Sequence, residues 1–308
     1  MTPDSSFLYH RFSDYLKETF GEKVYRVPVD AGFSCPNRDG TKGIGGCIYC
    51  DSRGSAAPFI DRSLSIREQI EVGIKRVLKR YKARKFIVYF QAFSNTYETP
   101  EILEKIYAQA VGFEGMVGVA IATRPDCVDR EKLEVIQRIF QGMQVWMEYG
   151  LQTIHGESLA WIKRGHGVED FEGAVGLTRA YPFRVGAHII FGLPGETREM
   201  MLETVRYLAR LGIDDIKIHM LHVLKGTQLA RMYERTPIDL LGMEEYVLTV
   251  CDALEILPPS VVIQRLTGDA PAENLIAPKW ILKKQETLRG IETEMLKRGT
   301  HQGVACKG

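Results

Sequence analysis

Apolar residues along the chain fall into short β-rich runs that alternate with longer stretches of helical periodicity. Runs rich in Val, Ile, Tyr and Phe at 23–29, 85–90, 116–122, 145–151, 184–191 and 216–220 predict strands. Over 65–81, Ile66, Ile70, Val72, Ile74 and Leu78 fall mostly at helical spacing, with Ser63 or Ser65 as the cap. Further helices are expected over 8–20, 100–111, 130–139 and 196–211. Strands joined by helical crossovers pair in parallel. The fold class is therefore α/β, either an open doubly wound sheet or, preferred, a partial (β/α)6-type barrel. Past His222 the pattern turns mostly helical, with one strand over 261–264 and a last helix over 278–297. The expected organisation is an N-terminal helical segment over 1–22, a barrel core over 23–222 and a C-terminal extension over 223–308. In either variant, ligands gather at the C-terminal ends of the strands.

Composition narrows the class. Of the 308 residues, 45% are hydrophobic and 26% charged, which excludes a disordered or collagen-like chain. Forty basic against thirty-nine acidic residues leave +1, so no global charge announces a polyanionic partner. The opening residues lack the basic flank and apolar core of a signal peptide. No apolar run approaches the ~18 residues of a membrane span. Six unevenly spaced cysteines suit a reduced compartment, so the expectation is a cytoplasmic protein with no membrane partner.

The chemistry concentrates after the first strand. Cys35, Cys47 and Cys50 follow one another as C-x11-C-x2-C, with Gly40, Gly43, Gly45 and Gly46 in the long gap. Two residues between Cys47 and Cys50 let both thiolates face one centre, and the glycines tolerate the positive φ that wrapping requires. Three readings compete. Structural zinc wants a fourth ligand, for which the loop offers only carboxylates such as Asp39 and Asp51. Inert buried thiols fit poorly, because a glycine-rich loop makes a poor core. A [4Fe–4S] cluster with one iron lacking a protein ligand is favoured.

Three cysteines after a first strand, followed by βα units, resemble the radical S-adenosylmethionine (SAM) superfamily. Its commonest spacing is C-x3-C-x2-C, and the longer gap here resembles the branch that holds the Elongator catalytic subunit, related also to oxygen-independent coproporphyrinogen oxidase. Thr123-Arg124-Pro125-Asp126, Tyr149-Gly150-Leu151-Gln152 and Ile190-Phe191-Gly192-Leu193-Pro194-Gly195-Glu196 resemble the same branch. The resemblance implies that Cys35, Cys47 and Cys50 hold a [4Fe–4S] cluster whose open iron binds the amino and carboxylate groups of SAM. One electron, from a reductant such as flavodoxin or ferredoxin, then breaks the S–C5′ bond and yields a 5′-deoxyadenosyl radical that abstracts hydrogen.

Residue by residue, the resemblance sets Tyr49 against adenine, with loop packing as its structural alternative. Gln91, Ser94 and Asn95 stand where relatives carry a glycine-rich segment that meets the SAM amino group; the alternative is a capped turn before the helix at Pro100. Gln152 matches a ribose contact, and Arg164, twelve residues on, an arginine that pairs with the SAM carboxylate. Ala122 replaces an acidic residue and His188 an aspartate found in relatives, so His188 is a candidate ribose contact or a hydrogen-bonded strand-end histidine. The Gly192–Glu196 turn adds a candidate adenine-side contact.

Cys127, Cys251 and Cys306 form no second C-x2-C, which argues against an auxiliary cluster. Residues 75–85 hold seven Lys or Arg and no acid, and residues 278–308 hold seven against three Glu. On a shared face they would suit an RNA backbone; a helix end complementing its own dipole explains the first equally well. Lys217, His219, Arg265 and Asp269 lie near strand ends and are candidates to line a substrate pocket. The chain is shorter than Elongator proteins, so acetyl transfer is not expected. The expected substrate is a tRNA wobble uridine. A small molecule such as a tetrapyrrole, and a non-catalytic zinc-stabilised adaptor, are the alternatives.

Overall fold

A sheet of seven parallel strands curls around a central lumen and is wrapped outside by helices. The computed structural model describes residues 8–54, 56–57 and 59–306; residues 1–7 of the expected N-terminal segment and Lys307 of the basic tail lie outside them. The strands are β1 (Val24–Val29), β2 (Lys85–Phe90), β3 (Met116–Thr123), β4 (Gln144–Gln152), β5 (Phe183–Phe191), β6 (Asp215–Met220) and β8 (Val262–Arg265), in the order β1-β2-β3-β4-β5-β6-β8. All neighbouring pairs are parallel. The half-barrel is thus the preferred of the two expected architectures, extended by a seventh strand. The strand expected in the C-terminal extension pairs with β6 rather than standing apart.

Each strand has two faces with different tasks. Outward residues such as Val27, Val88, Ile121, Met147, Tyr149, Ile189 and Ile218 are buried in the main core beneath the helices. At the lower end the inward residues are apolar, and Ile87, Ala120 and Trp146 meet Leu16 of α1 (Phe12–Phe20). Phe12 packs edge-on against Trp146, with centroids 6.0 Å apart. Helix α1 therefore plugs the floor of the lumen. It starts at Phe12 rather than residue 8, because the residues before it lie along the edge of β8. Ile263 N donates to His10 O at 2.8 Å, and His10 N donates to Gln302 Oε1 at 2.8 Å.

Helix α2 (Ile66–Tyr81) is fixed at its start by a capping box: Ser65 Oγ accepts from Glu68 N, and Ser65 N donates to Glu68 Oε2 at 2.8 Å. Helices α3 (Pro100–Tyr107), α4 (Arg130–Ile139) and α7 (Arg198–Leu211) follow the expected periodicity. Between β4 and β5, where the sequence reading set no helix bounds, the chain forms α5 (Gly156–Trp161) and α6 (Val168–Thr178). Gly173 and Gly176 dilute the apolar pattern of α6, although Phe171, Ala174, Val175 and Thr178 bury one face. The C-terminal region holds a small antiparallel pair, β7 (Val223–Leu224) with β9 (Leu275–Ala277), and helices α8 (Gln228–Arg235), α9 (Met243–Ile256) and α10 (Lys284–Arg298).

The basic segments do not share a face at the mouth. Lys85 opens β2 opposite Val24, the first residue of β1, so residues 75–85 lie at the end of the barrel away from the cysteine loop. In the second segment, Trp280 donates to Leu241 O, and Leu241 packs on Gly192 at the mouth. Arg298 at its far end is tied to Asp252, Glu255 and Glu294. Among the described residues no helix is long and apolar enough to cross a membrane.

Candidate active site at the barrel mouth

All three cysteines of the loop are free thiols set over the C-terminal ends of the strands. The long gap after Cys35 is a folded hairpin. Arg38 N donates to Cys35 O at 2.7 Å, Gly46 N to Asn37 O at 2.7 Å, and Asp39 bridges Ile44. Lys42 pairs with Asp126 at 2.6 Å, and Asp126 is held in turn by both Nε and Nη2 of Arg124 at 2.8 Å. The Arg-Pro-Asp turn therefore anchors the hairpin and itself. Those two cations hold the Asp126 carboxyl down near 2 despite its burial.

Side-chain donors converge on the sulfurs. Asn37 Nδ2 lies 3.5 Å and Arg164 Nη1 3.6 Å from Cys47 Sγ, while Arg38 Nη2 lies 3.2 Å from Cys50 Sγ. Burial would raise the Cys47 thiol, but the Arg164 charge and these hydrogen bonds bring it below its ordinary value. Burial pushes Cys50 up to about 11, with Arg38 opposing it. Among the described residues no three Cys, His, Asp or Glu side chains gather tightly enough for a single ion. The donor set instead fits an iron–sulfur cluster: three thiolates, each able to bind its own iron, with N–H groups aimed at sulfur.

Around this loop, the expected cofactor residues divide into two groups. Gln152 and Arg164 meet at Gly150, where an added Cβ would lie 2.6 Å from both Gln152 Nε2 and Arg164 Nη2. Gln152 takes a φ of +76° at the point where the β4–β5 register shifts, a conformation unfavourable for a side-chain-bearing residue. Arg164 donates through Nη2 to Gly150 O at 2.8 Å and through Nη1 to Cys47 Sγ, while its buried Nε has no partner among the described residues. Tyr49 packs with the buried cluster of Ile48, Ile162, Ile190 and Leu193, and burial drives its hydroxyl well above the ordinary value. The Gly192–Glu196 turn borders a hollow of about 600 Å³ that reaches Trp161 and Arg235.

After β2, Gln91 is half-buried, and Ser94 and Asn95 are fully buried. Asn95 donates through Nδ2 to Ala92 O at 3.0 Å and Ala122 O at 2.7 Å, so its donors lock the turn to β3. Phe93 holds a φ of +60°, a backbone conformation that glycine adopts most readily.

His188 faces the lumen, donating to Glu148 Oε2 at 3.1 Å. Glu148 also accepts from Lys217 at 2.5 Å and Arg26 at 3.1 Å, and Lys217 donates to Tyr89 Oη at 2.8 Å. Burial, reinforced by Lys217, holds His188 neutral with a pKa of about 4. Glu148, Arg26, Tyr89, Asn37 and Arg38 were absent from the sequence-based candidates. Strand parity was the available signal for the first three: Arg26, Tyr89 and Glu148 sit on the phase opposite to the outward apolar residues.

Residues 35–226 match the Radical SAM superfamily and residues 213–297 match a Radical_SAM C-terminal domain. The chain belongs to the radical SAM superfamily. It is 40% identical to protein YtqA of Bacillus subtilis over 96% of this chain and 92% of that one. A tRNA uridine(34) acetyltransferase of Methanocaldococcus jannaschii is 32% identical over 52% of this chain and 30% of its own length. Among solved structures, Elp3 of Methanocaldococcus infernus superposes with a TM-score of 0.68 at 20% identity, over 91% of this chain and 64% of that one. The present chain thus spans under two thirds of that Elp3 chain.

This radical SAM enzyme uses a [4Fe–4S] cluster and SAM. When bound, the two together supply a carbon-centred radical able to take a hydrogen atom from a substrate. The chain's own contribution is positional. Cys35, Cys47 and Cys50 would hold the cluster, and Asn37, Arg38 and Arg164 set N–H groups against the latter two sulfurs. Below the mouth, the Glu148 network lines the lumen with fixed charges and hydrogen-bond donors.

Proposed function

We propose that this radical SAM enzyme modifies tRNA at the wobble uridine. The reading places it in the cytoplasm and draws its electron from a flavodoxin or ferredoxin. The observation that carries it is the match over half of this chain to a tRNA uridine(34) acetyltransferase, with the Elp3 fold likeness alongside. The match covers 30% of that protein's length, and acetyl transfer is no part of the reading. The basic residues 75–85 lie at the wrong end of the barrel to grip RNA near the cluster. RNA contacts fall instead to cations around the mouth, such as Arg53, Arg62 and Arg265. The SAM contacts are proposed as Tyr49, Gln91, Ser94, Asn95, Gln152, Arg164 and His188; Asn95 Oδ1 and Arg164 Nε are buried without a partner among the described residues.

The experiment is to compare nucleosides of total tRNA from a strain lacking the gene with those from its parent, by mass spectrometry. The purified, reconstituted enzyme is then offered the mutant tRNA with SAM and dithionite. A wobble nucleoside that changes in the mutant and is restored in vitro supports the reading. An unchanged nucleoside profile, with SAM cleavage indifferent to tRNA, overturns it.

A further inference from the structure

The hairpin between Cys35 and Cys47 carries two residues that touch the sulfurs, Asn37 and Arg38, and a short spacing of three residues has no room for such a fold. Arg38 is the charged one. Its guanidinium donates to Cys50 Sγ at 3.2 Å, to Cys50 O at 3.3 Å and to Asp51 O. Its contacts there are one thiol and two carbonyls. The opposite face lies over the Phe93 ring, 5.1 Å from its centroid.

Two strained or unencumbered positions make this approach feasible. Gly46 has a φ of +86°, and a Cβ there would come within 3.0 Å of Arg38 Nε and 3.3 Å of its Cγ and Cζ. Any side chain at 46 would push Arg38 away from the loop. Phe93 is held at a φ of +60°, which turns its ring under the guanidinium. The hairpin is then pinned from outside by Lys42 to Asp126 and by Thr41 to Tyr97 Oη at 2.8 Å.

We propose that Arg38 is a positioning residue that sets the cluster's reduction potential, holding it higher than the three thiolates alone would. The inference rests on Cys50 being a cluster ligand. Accepting one electron makes the cluster and its thiolates more negative, so a fixed cation with N–H on one sulfur stabilises the reduced form more than the oxidised form. Arginine suits the task because it stays charged and its fork spans the sulfur and the neighbouring carbonyls together.

The test is a potentiometric titration of the reconstituted cluster without SAM, with dithionite giving one electron per cluster and the reduced form followed by its paramagnetic signal. Wild type, Arg38→Met and Arg38→Lys are compared, with iron and sulfide measured for each. Arg38→Met is expected to lower the reduced-to-oxidised ratio at a given potential about tenfold, which is about 59 mV for a one-electron couple. Arg38→Lys, which keeps the charge without the fork, is expected to fall between. A cluster of normal iron content and unchanged potential in Arg38→Met overturns the proposal. If Arg38→Met fails to hold iron, Arg38→Lys decides: an unchanged potential there overturns it, a lowered one supports it. Absence of any cluster in the wild type would sink the ligand assignment instead, and the iron analysis shows that separately.

Discussion

Lys217 on β6 reaches across β5 to set its Nζ 2.5 Å from Glu148 Oε2 on β4. Glu148 is completely buried, and Arg26 and His188 share its oxygens. Breaking a buried pair leaves an uncompensated charge, which costs about 3–5 kcal/mol. Lys217→Met and Glu148→Gln are each expected to destabilise the fold by about 3 kcal/mol in urea unfolding. The double variant should cost clearly less than the two singles combined. Strict additivity would show that the pair is not coupled.

Protonation of the same network gives a pH dependence. His188 in the fold has a pKa of about 4, below its ordinary value, with burial as the main cause and Lys217 next. The unfolded chain therefore binds this proton first as pH falls, and stability drops between about pH 6.5 and 4. Glu148, held below its ordinary value by Lys217 and Arg26 against its burial, adds to the loss at lower pH. Asp215, raised to about 6 by burial, opposes both. Unfolding free energies of His188→Asn against wild type from pH 7 to 4.5 should show a flatter profile for the variant. Parallel profiles would remove His188 from the account.

Gly150 packs against Gln152 and Arg164, two of the proposed SAM contacts. Gly150→Ala would drive a methyl into Arg164 Nη2 and Gln152 Nε2, both 2.6 Å away. The chain should still fold, but SAM cleavage is expected to fall about 100-fold through misplacement of these groups. Single-turnover assays with iron content matched to wild type check it.

The remaining cysteines are predicted to be bystanders. Burial pushes Cys127 and Cys251 up to about 12 each, so both stay protonated in the core. Cys127→Ala, Cys251→Ala and Cys306→Ser should retain wild-type iron, whereas Cys47→Ala should lose the cluster. Iron and sulfide analysis after anaerobic reconstitution reads this directly.

Much of this architecture was legible in the chain. Strands β1 to β6 lie where β-rich apolar runs predict them, because each buries its outward face under helices and carries a strong apolar signal. Helix α6 was hidden by Gly173 and Gly176, which lower the apolar count without preventing a buried face. The start of α1 was set by pairing with β8, a contact far away in sequence that local periodicity cannot register. At the site, the cysteine spacing announced the cluster loop, while the assignment of Arg38 and Asn37 depended on how eleven intervening residues fold. For Asn95 the sequence favoured a cofactor contact over a capped turn. Its Nδ2 bonds to Ala92 and Ala122 show it bracing the turn.

The central claim is that Cys35, Cys47 and Cys50 carry a cluster that cleaves SAM reductively. Its most direct test quantifies 5′-deoxyadenosine from anaerobically reconstituted protein with SAM and dithionite, beside the Cys35→Ala/Cys47→Ala/Cys50→Ala variant. The account predicts product from the wild type and none from the variant. A fully loaded wild-type cluster that yields no 5′-deoxyadenosine, or equal product from both proteins, would contradict it.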